Sequence, residues 1–166
     1  MPIRSILRFP DARLCMAAAP VERFDQELAA LADDLLETMH AAPGIGITAP
    51  HIGVLQRLTV IELDPASGPK IYVNPEIVRS SADTVSHTEG SVSMPGITED
   101  VVRARLIRVR YQTLSGDVDE TEVDGLLSIC LQHEIDQLDG MFWLQRLSRL
   151  KRERAAKRFA KLTRNG

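Results

Sequence analysis

Gln132-His133-Glu134-Ile135-Asp136-Gln137-Leu138-Asp139-Gly140 is the stretch whose reading decides the fold. On a helix, His133 and Gln137 stand one turn apart on one face, with Glu134 at its edge. With a second histidine in place of Gln137, the stretch would be the motif HExxH, in which both rings hold a divalent metal and the glutamate handles the protons of a metal-bound water. Here the second histidine is a glutamine. Upstream, Leu126, Leu127, Ile129, Cys130 and Leu131, followed by Ile135 and Leu138, make a helix starting near Asp124 apolar over most of its girth. Such a helix belongs at the centre of a fold, surrounded by sheet. Asp139-Gly140 ends it, glycine suiting the left-handed cap.

Working outward, residues 2–20 read as irregular, punctuated by Pro10-Asp11 and Pro20. From about Phe24, Leu28, Leu31, Ala32, Leu35, Leu36 and Met39 recur at helical spacing, with Asp25 as N-cap and Pro43-Gly44 as the stop. Gly44-Ile45-Gly46-Ile47-Thr48-Ala49-Pro50-His51-Ile52-Gly53 is a poor helix or strand and a good loop for close backbone approach to a ligand. It lacks GxGxxG and Gly-Lys-Ser/Thr, so it is no phosphate loop. Residues 54–63 and 70–78 read as paired strands, 101–113 as one long strand, and Ser115-Gly116-Asp117 as the turn into a partner at 118–123. Glu89-Gly90-Ser91-Val92-Ser93-Met94-Pro95-Gly96 has no element of its own. A last helix is predicted over about 150–162. The expectation is a single α+β domain over 1–166, with a central helix enclosed by antiparallel strands and a C-terminal helix.

A chain of 166 residues buries about 70% of its unfolded surface, so folding requires neither disulfides nor metal. No apolar run approaches the roughly 18 residues of a membrane span, and the N-terminus has no signal core with a cleavage site, which together predict a cytoplasmic protein. Cys15 and Cys130 form no CxxC pair and are expected to be small buried hydrophobes. The net charge of -3 conceals an asymmetry. From Arg146 onward nine basic residues face one acid, Glu153, while the rest of the chain has 11 basic and 22 acidic residues. Such a tail is either a solvated helix face or a surface for an anionic partner, nucleic acid first.

Gly44-Ile45-Gly46-Ile47-Thr48-Ala49-Pro50-His51, Glu89-Gly90-Ser91-Val92-Ser93 and His133-Glu134-Ile135-Asp136-Gln137 together resemble, in order and spacing, the peptide deformylase signatures GxGxAAxQ, EGCxS and HExxH. The resemblance covers nearly the whole chain and implies the peptide deformylase fold. It also implies the family reaction, hydrolytic removal of the formyl group from the N-terminal formyl-methionine of nascent polypeptides. The family's metal, Fe2+ or else Zn2+ or Ni2+, is held by a cysteine and two histidines. Those positions are Ser91, His133 and Gln137 here, so one ligand is retained and two are degenerate. By the same resemblance Glu134 is the proton shuttle, His51 stands where a glutamine stabilises the oxyanion, and Val92 supplies an amide. Ile45, Gly46, Leu126, Ile129 and Cys130 line the methionine pocket, and the basic tail resembles the family's ribosome-contacting helix.

A protonated hydroxyl and a carboxamide are poor donors for iron or zinc. The expected consequence is weak or absent metal binding and weak or lost hydrolysis, because without metal the attacking water's pKa returns from about 7 toward about 16. Three further possibilities follow from the residues. His51 either keeps the glutamine's hydrogen-bonding role or joins His133 and Glu134 as a ligand; the first is preferred, since a ligating glutamate is not free to act as base. The pocket, its walls apolar, remains able to bind formyl-methionyl or methionyl N-termini without metal. Ser91, with a histidine as base, is the skeleton of a serine-type hydrolase, although no GxSxG elbow supports it.

Overall fold

The computed structural model describes residues 3–165; Met1, Pro2 and Gly166, which the single-domain expectation includes, lie outside the described residues. In chain order the elements are α1 (Gln26–Ala41), β1 (Gly46–Thr48), β2 (Leu58–Ile61), β3 (Lys70–Ser80), β4 (Thr84–Glu89), β5 (Glu99–Ala104), β6 (Leu106–Gln112), β7 (Val118–Asp124), α2 (Gly125–Leu138) and α3 (Arg149–Asn165), with short 3-10 turns at Ala12–Cys15, Ala49–Ile52 and Trp143–Arg146. A sheet of order β1-β2-β3-β6-β7 and a β4-β5 ribbon are both antiparallel. The α+β expectation holds.

α1 begins where predicted. The Asp25 side chain accepts a hydrogen bond from the Leu28 amide, and Leu28, Leu31, Ala32, Leu35 and Met39 bury the inner face against β1 and β2. α2 packs Leu131 and Ile135 onto Ile61, Tyr72, Ile107 and Val109 of the sheet. α3 is anchored by Ala155 and Phe159, which pack with Phe9, Phe142, Trp143 and Leu147. α2 therefore lies in the interior, and most of its residues after Leu127 are buried, polar ones included.

Three expectations need correction. The loop at 44–53 contains a short strand and a 3-10 turn, because Gly46, Ile47 and Thr48 find partners in Ile61, Val60 and Thr59. The strand predicted over 101–113 is two strands in different sheets, broken at Arg105, and β4, which precedes them, has no counterpart in the expected elements. Gln132 of α2 meets the backbone at that break. Its carboxamide accepts from the Ala104 amide at 3.2 Å and donates to the Ala104 carbonyl at 2.8 Å, imitating a neighbouring strand. Finally, Cys15 is exposed and not a core residue, while Cys130 is half-buried.

Candidate active site

α2, the β1 segment and the Glu89–Val92 turn meet at a cavity of about 430 Å3. His51, Ser91, His133 and Glu134 line it, as do the six positions expected to bind substrate, Ile45, Gly46, Val92, Leu126, Ile129 and Cys130. Ile45 and Leu126 sit at its open side, 46% and 42% exposed. Gly46 is there for close approach: a Cβ at this position would lie 3.2 Å from Glu134 Oε1. Gln137 is not part of the lining. It is buried, and its Nε2 donates to the Leu14 carbonyl at 2.7 Å, tying α2 to the N-terminal segment.

His133 is held by a chain of buried ions that begins at Glu89. Its Nδ1 donates to Glu89 Oε1 at 2.9 Å, and Arg103 grips both oxygens of the same carboxylate at 2.8 and 2.9 Å. Arg103 also donates to Asp136 Oδ2 at 2.6 Å, and Arg146 forks onto both Asp136 oxygens at 2.9 and 2.8 Å. Each carboxylate is thus paired in two-pronged fashion, the arrangement that compensates burial of charge. Burial by itself lowers the His133 pKa, but its bond to Glu89 and the charges of Glu134 and Glu89 outweigh that and raise it.

Glu134 is buried, with Oε1 3.8 Å from His133 Nε2 and Oε2 without a hydrogen-bond partner. Burial pushes its pKa up to about 7, more than the neighbouring cations His133 and Arg103 pull it down. A carboxyl poised near neutrality can take or release a proton at little cost. Cys130 is the reverse: burial and then the carboxylates of Glu134 and Glu89 push its thiol to about 12, so it is an apolar wall and no nucleophile.

His51 is fully enclosed. Burial, reinforced by the charge of His133, drives its pKa down to about 3, so the ring is neutral. The Thr48 amide donates to its Nδ1 at 2.9 Å, with the Thr48 hydroxyl 3.0 Å from the same nitrogen, and its Nε2 has no partner. Ser91 Oγ accepts from the Ser93 amide at 3.1 Å. Among the described residues no hydrogen bond joins Ser91 to His51 or His133, and no group of three or more His, Cys, Asp or Glu side chains is arranged to hold a metal ion.

Reasoning from sequence left Glu89, Arg103, Asp136, Arg146 and Thr48 without roles. The available signal was Arg103, two residues from Val101 and so on the same inward face of a strand, where an arginine must find carboxylates. The polypeptide deformylase family profile matches residues 3–153. The chain belongs to the peptide deformylase family. A peptide deformylase-like protein of Rhizobium meliloti is 61% identical over 164 residues, covering 99% of this chain and 95% of its own. The peptide deformylase of Afipia carboxidovorans is 43% identical, covering 97% and 96%. The crystal structure of a peptide deformylase from Legionella pneumophila superposes with a TM-score of 0.93 at 42% identity, over 98% of this chain and 96% of that one. The α+β arrangement with α2 enclosed by strands is therefore the peptide deformylase fold.

Proposed function

We propose that this chain keeps the family's pocket for methionyl N-termini while its metal-assisted deformylation is weak or lost. The observation that carries this is the hydrogen bond from Gln137 to the Leu14 carbonyl. At the position where the family places a metal-binding imidazole, this chain has a carboxamide whose nitrogen is committed to backbone on the side away from the cavity. Ser91 offers a hydroxyl in place of a thiolate, so His133 alone remains of the set. Iron and zinc require thiolate sulfur and imidazole nitrogen, and two first-ring losses cost more than the roughly 10- to 100-fold typical of outer partners. The residues present do not fit the family's metal.

The pocket's apolar walls support retention of binding: Ile45, Val92, Leu126, Ile129 and Cys130 border a space suited to a flexible thioether side chain. The test is formate release from a formyl-methionyl peptide with added iron, nickel or zinc, by the native chain and by the triple variant His51→Gln, Ser91→Cys, Gln137→His. Activity confined to the variant supports the proposal; brisk, metal-dependent activity of the native chain overturns it. Calorimetry with formyl-methionyl peptides tests the binding half, which fails if nothing binds at millimolar concentration.

The serine-hydrolase alternative lacks a base, since Ser91 Oγ accepts from an amide and reaches neither ring. Ester hydrolysis lost on Ser91→Ala would be required to revive it. A second contact belongs to α3, whose basic surface suits ribosomal RNA. Among the described residues no helix is long and apolar enough to cross a membrane.

A further inference from the structure

His51 stands at a position of the GxGxAAxQ signature where this chain departs from the pattern, and Thr48 is another departure in the same segment. The two residues touch. Because the Thr48 amide donates to His51 Nδ1 at 2.9 Å, that nitrogen must offer its lone pair, and in a neutral ring the proton then resides on Nε2. The tautomer is set by backbone, which has no alternative protonation state. His51 Nε2–H is thus a donor, buried, without a partner, on a side chain that lines the cavity.

This excludes the other two roles open to an imidazole. To bind a metal through Nε2, His51 would have to move its proton to Nδ1, directly against the Thr48 N–H. To act as a base it would need a free lone pair, and the one it has is occupied. Across the cavity stands the complementary orphan, Glu134 Oε2, also buried and also without a partner. Empty orphans of this kind are costly, and a ligand that satisfies both recovers that cost. An amide does so with its carbonyl oxygen on His51 and its N–H on Glu134. A free amine satisfies Glu134 alone.

We propose that His51 is a fixed hydrogen-bond donor that reads the acyl carbonyl oxygen of an N-acylated methionyl terminus, so that the pocket selects acylated over free-amine termini and holds them intact. This rests on the pocket proposed above, and the experiment separates the two. Formyl-Met-Ala-Ser and Met-Ala-Ser are titrated into the native chain and into His51→Leu and His51→Gln, while the ring nitrogens of His51 are observed by 15N NMR in the native chain. Leaving a buried donor unpaired corresponds to a preference of about 10-fold or more, so the formylated peptide binds at least about 10-fold tighter to the native chain. The ratio collapses toward one in His51→Leu and is kept in His51→Gln, whose carboxamide restores an N–H. The native spectrum shows Nε2 protonated and Nδ1 not.

Equal affinities for the two peptides, or a preference that survives in His51→Leu, overturn the role of His51 while leaving the pocket proposal standing. A proton on Nδ1 overturns the tautomer assignment, and the donor role with it. Absence of binding by either peptide sinks both proposals.

Discussion

At the scale of single residues, what distinguishes this site is where each polar atom is already committed. Gln137 has exchanged a metal-facing task for a structural one: it satisfies a backbone carbonyl 123 positions away. Gln137→Leu preserves bulk and abandons the Leu14 oxygen in the interior, and should cost about 1–3 kcal/mol in urea unfolding. An unchanged midpoint would mean that the oxygen finds water or another donor. Glu89 carries a pH prediction. Burial raises its pKa, but hydrogen bonds from Arg103 and His133, with their charges, bring it down to about 2. A depressed carboxylate contributes stability that is complete above its unfolded value, about 4.5, and is lost as pH falls toward the folded one. The unfolding free energy of the native chain should therefore fall between about pH 4.5 and 2 more steeply than that of Glu89→Gln. Parallel curves would show that the pair with Arg103 and His133 adds nothing in that window.

At the scale of elements, the end of α2 is the joint on which the site depends. Gly140 has φ +83°, and a Cβ there would meet Ala17 N at 2.9 Å and Cys15 O at 3.0 Å, both backbone atoms unable to rotate away. The Ala18 amide donates to the Leu138 carbonyl at 2.8 Å beside it. Gly140→Ala should therefore cost at least about 2 kcal/mol, the left-handed penalty of roughly 1–2 kcal/mol plus displacement of the N-terminal segment, read as a lowered urea midpoint. A cost below about 0.5 kcal/mol, the ordinary range for surface substitutions, would mean the segment yields freely. The helix end itself was legible in sequence, as were α1, the β6-β7 hairpin and the interior place of α2, because each is written in local periodicity or turn chemistry. β4 was not: Thr-Val-Ser-His-Thr-Glu has one buried residue, so no apolar alternation marks it. Nor was the break at Arg105, which depends on Gln132 from a helix 28 positions on from Ala104. The site divides in the same way. His51 and Thr48 are three residues apart and their contact is local, whereas the partners of Gln137 and His133 come from distant segments that only the fold brings near.

At the scale of the whole molecule, charge is separated along the fold. α3 turns Ala155 and Phe159 inward and leaves Lys151, Arg154, Lys157 and Lys161 exposed, while Arg158 leans back on Glu99 at 3.1 Å and Arg149 pairs with Glu153 within the helix. The acidic residues of β7 lie on another face, Glu120 answering Arg108 and Arg110 of β6. A chain with net charge -3 can therefore approach a polyanion only by one face, which gives the encounter an orientation that a uniformly basic surface lacks. The proposed ribosome contact makes this testable without disturbing the core. Deleting α3 would expose Phe142 and Trp143, so weaker binding after truncation would be ambiguous. Lys151→Ala, Arg154→Ala, Lys157→Ala and Lys161→Ala together spare Ala155 and Phe159. Binding to ribosomal RNA should weaken as salt rises, and the quadruple variant should reduce the slope of log K against log salt by about three, close to one counterion for each phosphate that is no longer neutralised. Retention of the native slope by a folded quadruple variant would mean that α3 is a solvated face, and that the anionic partner must be sought elsewhere or does not exist.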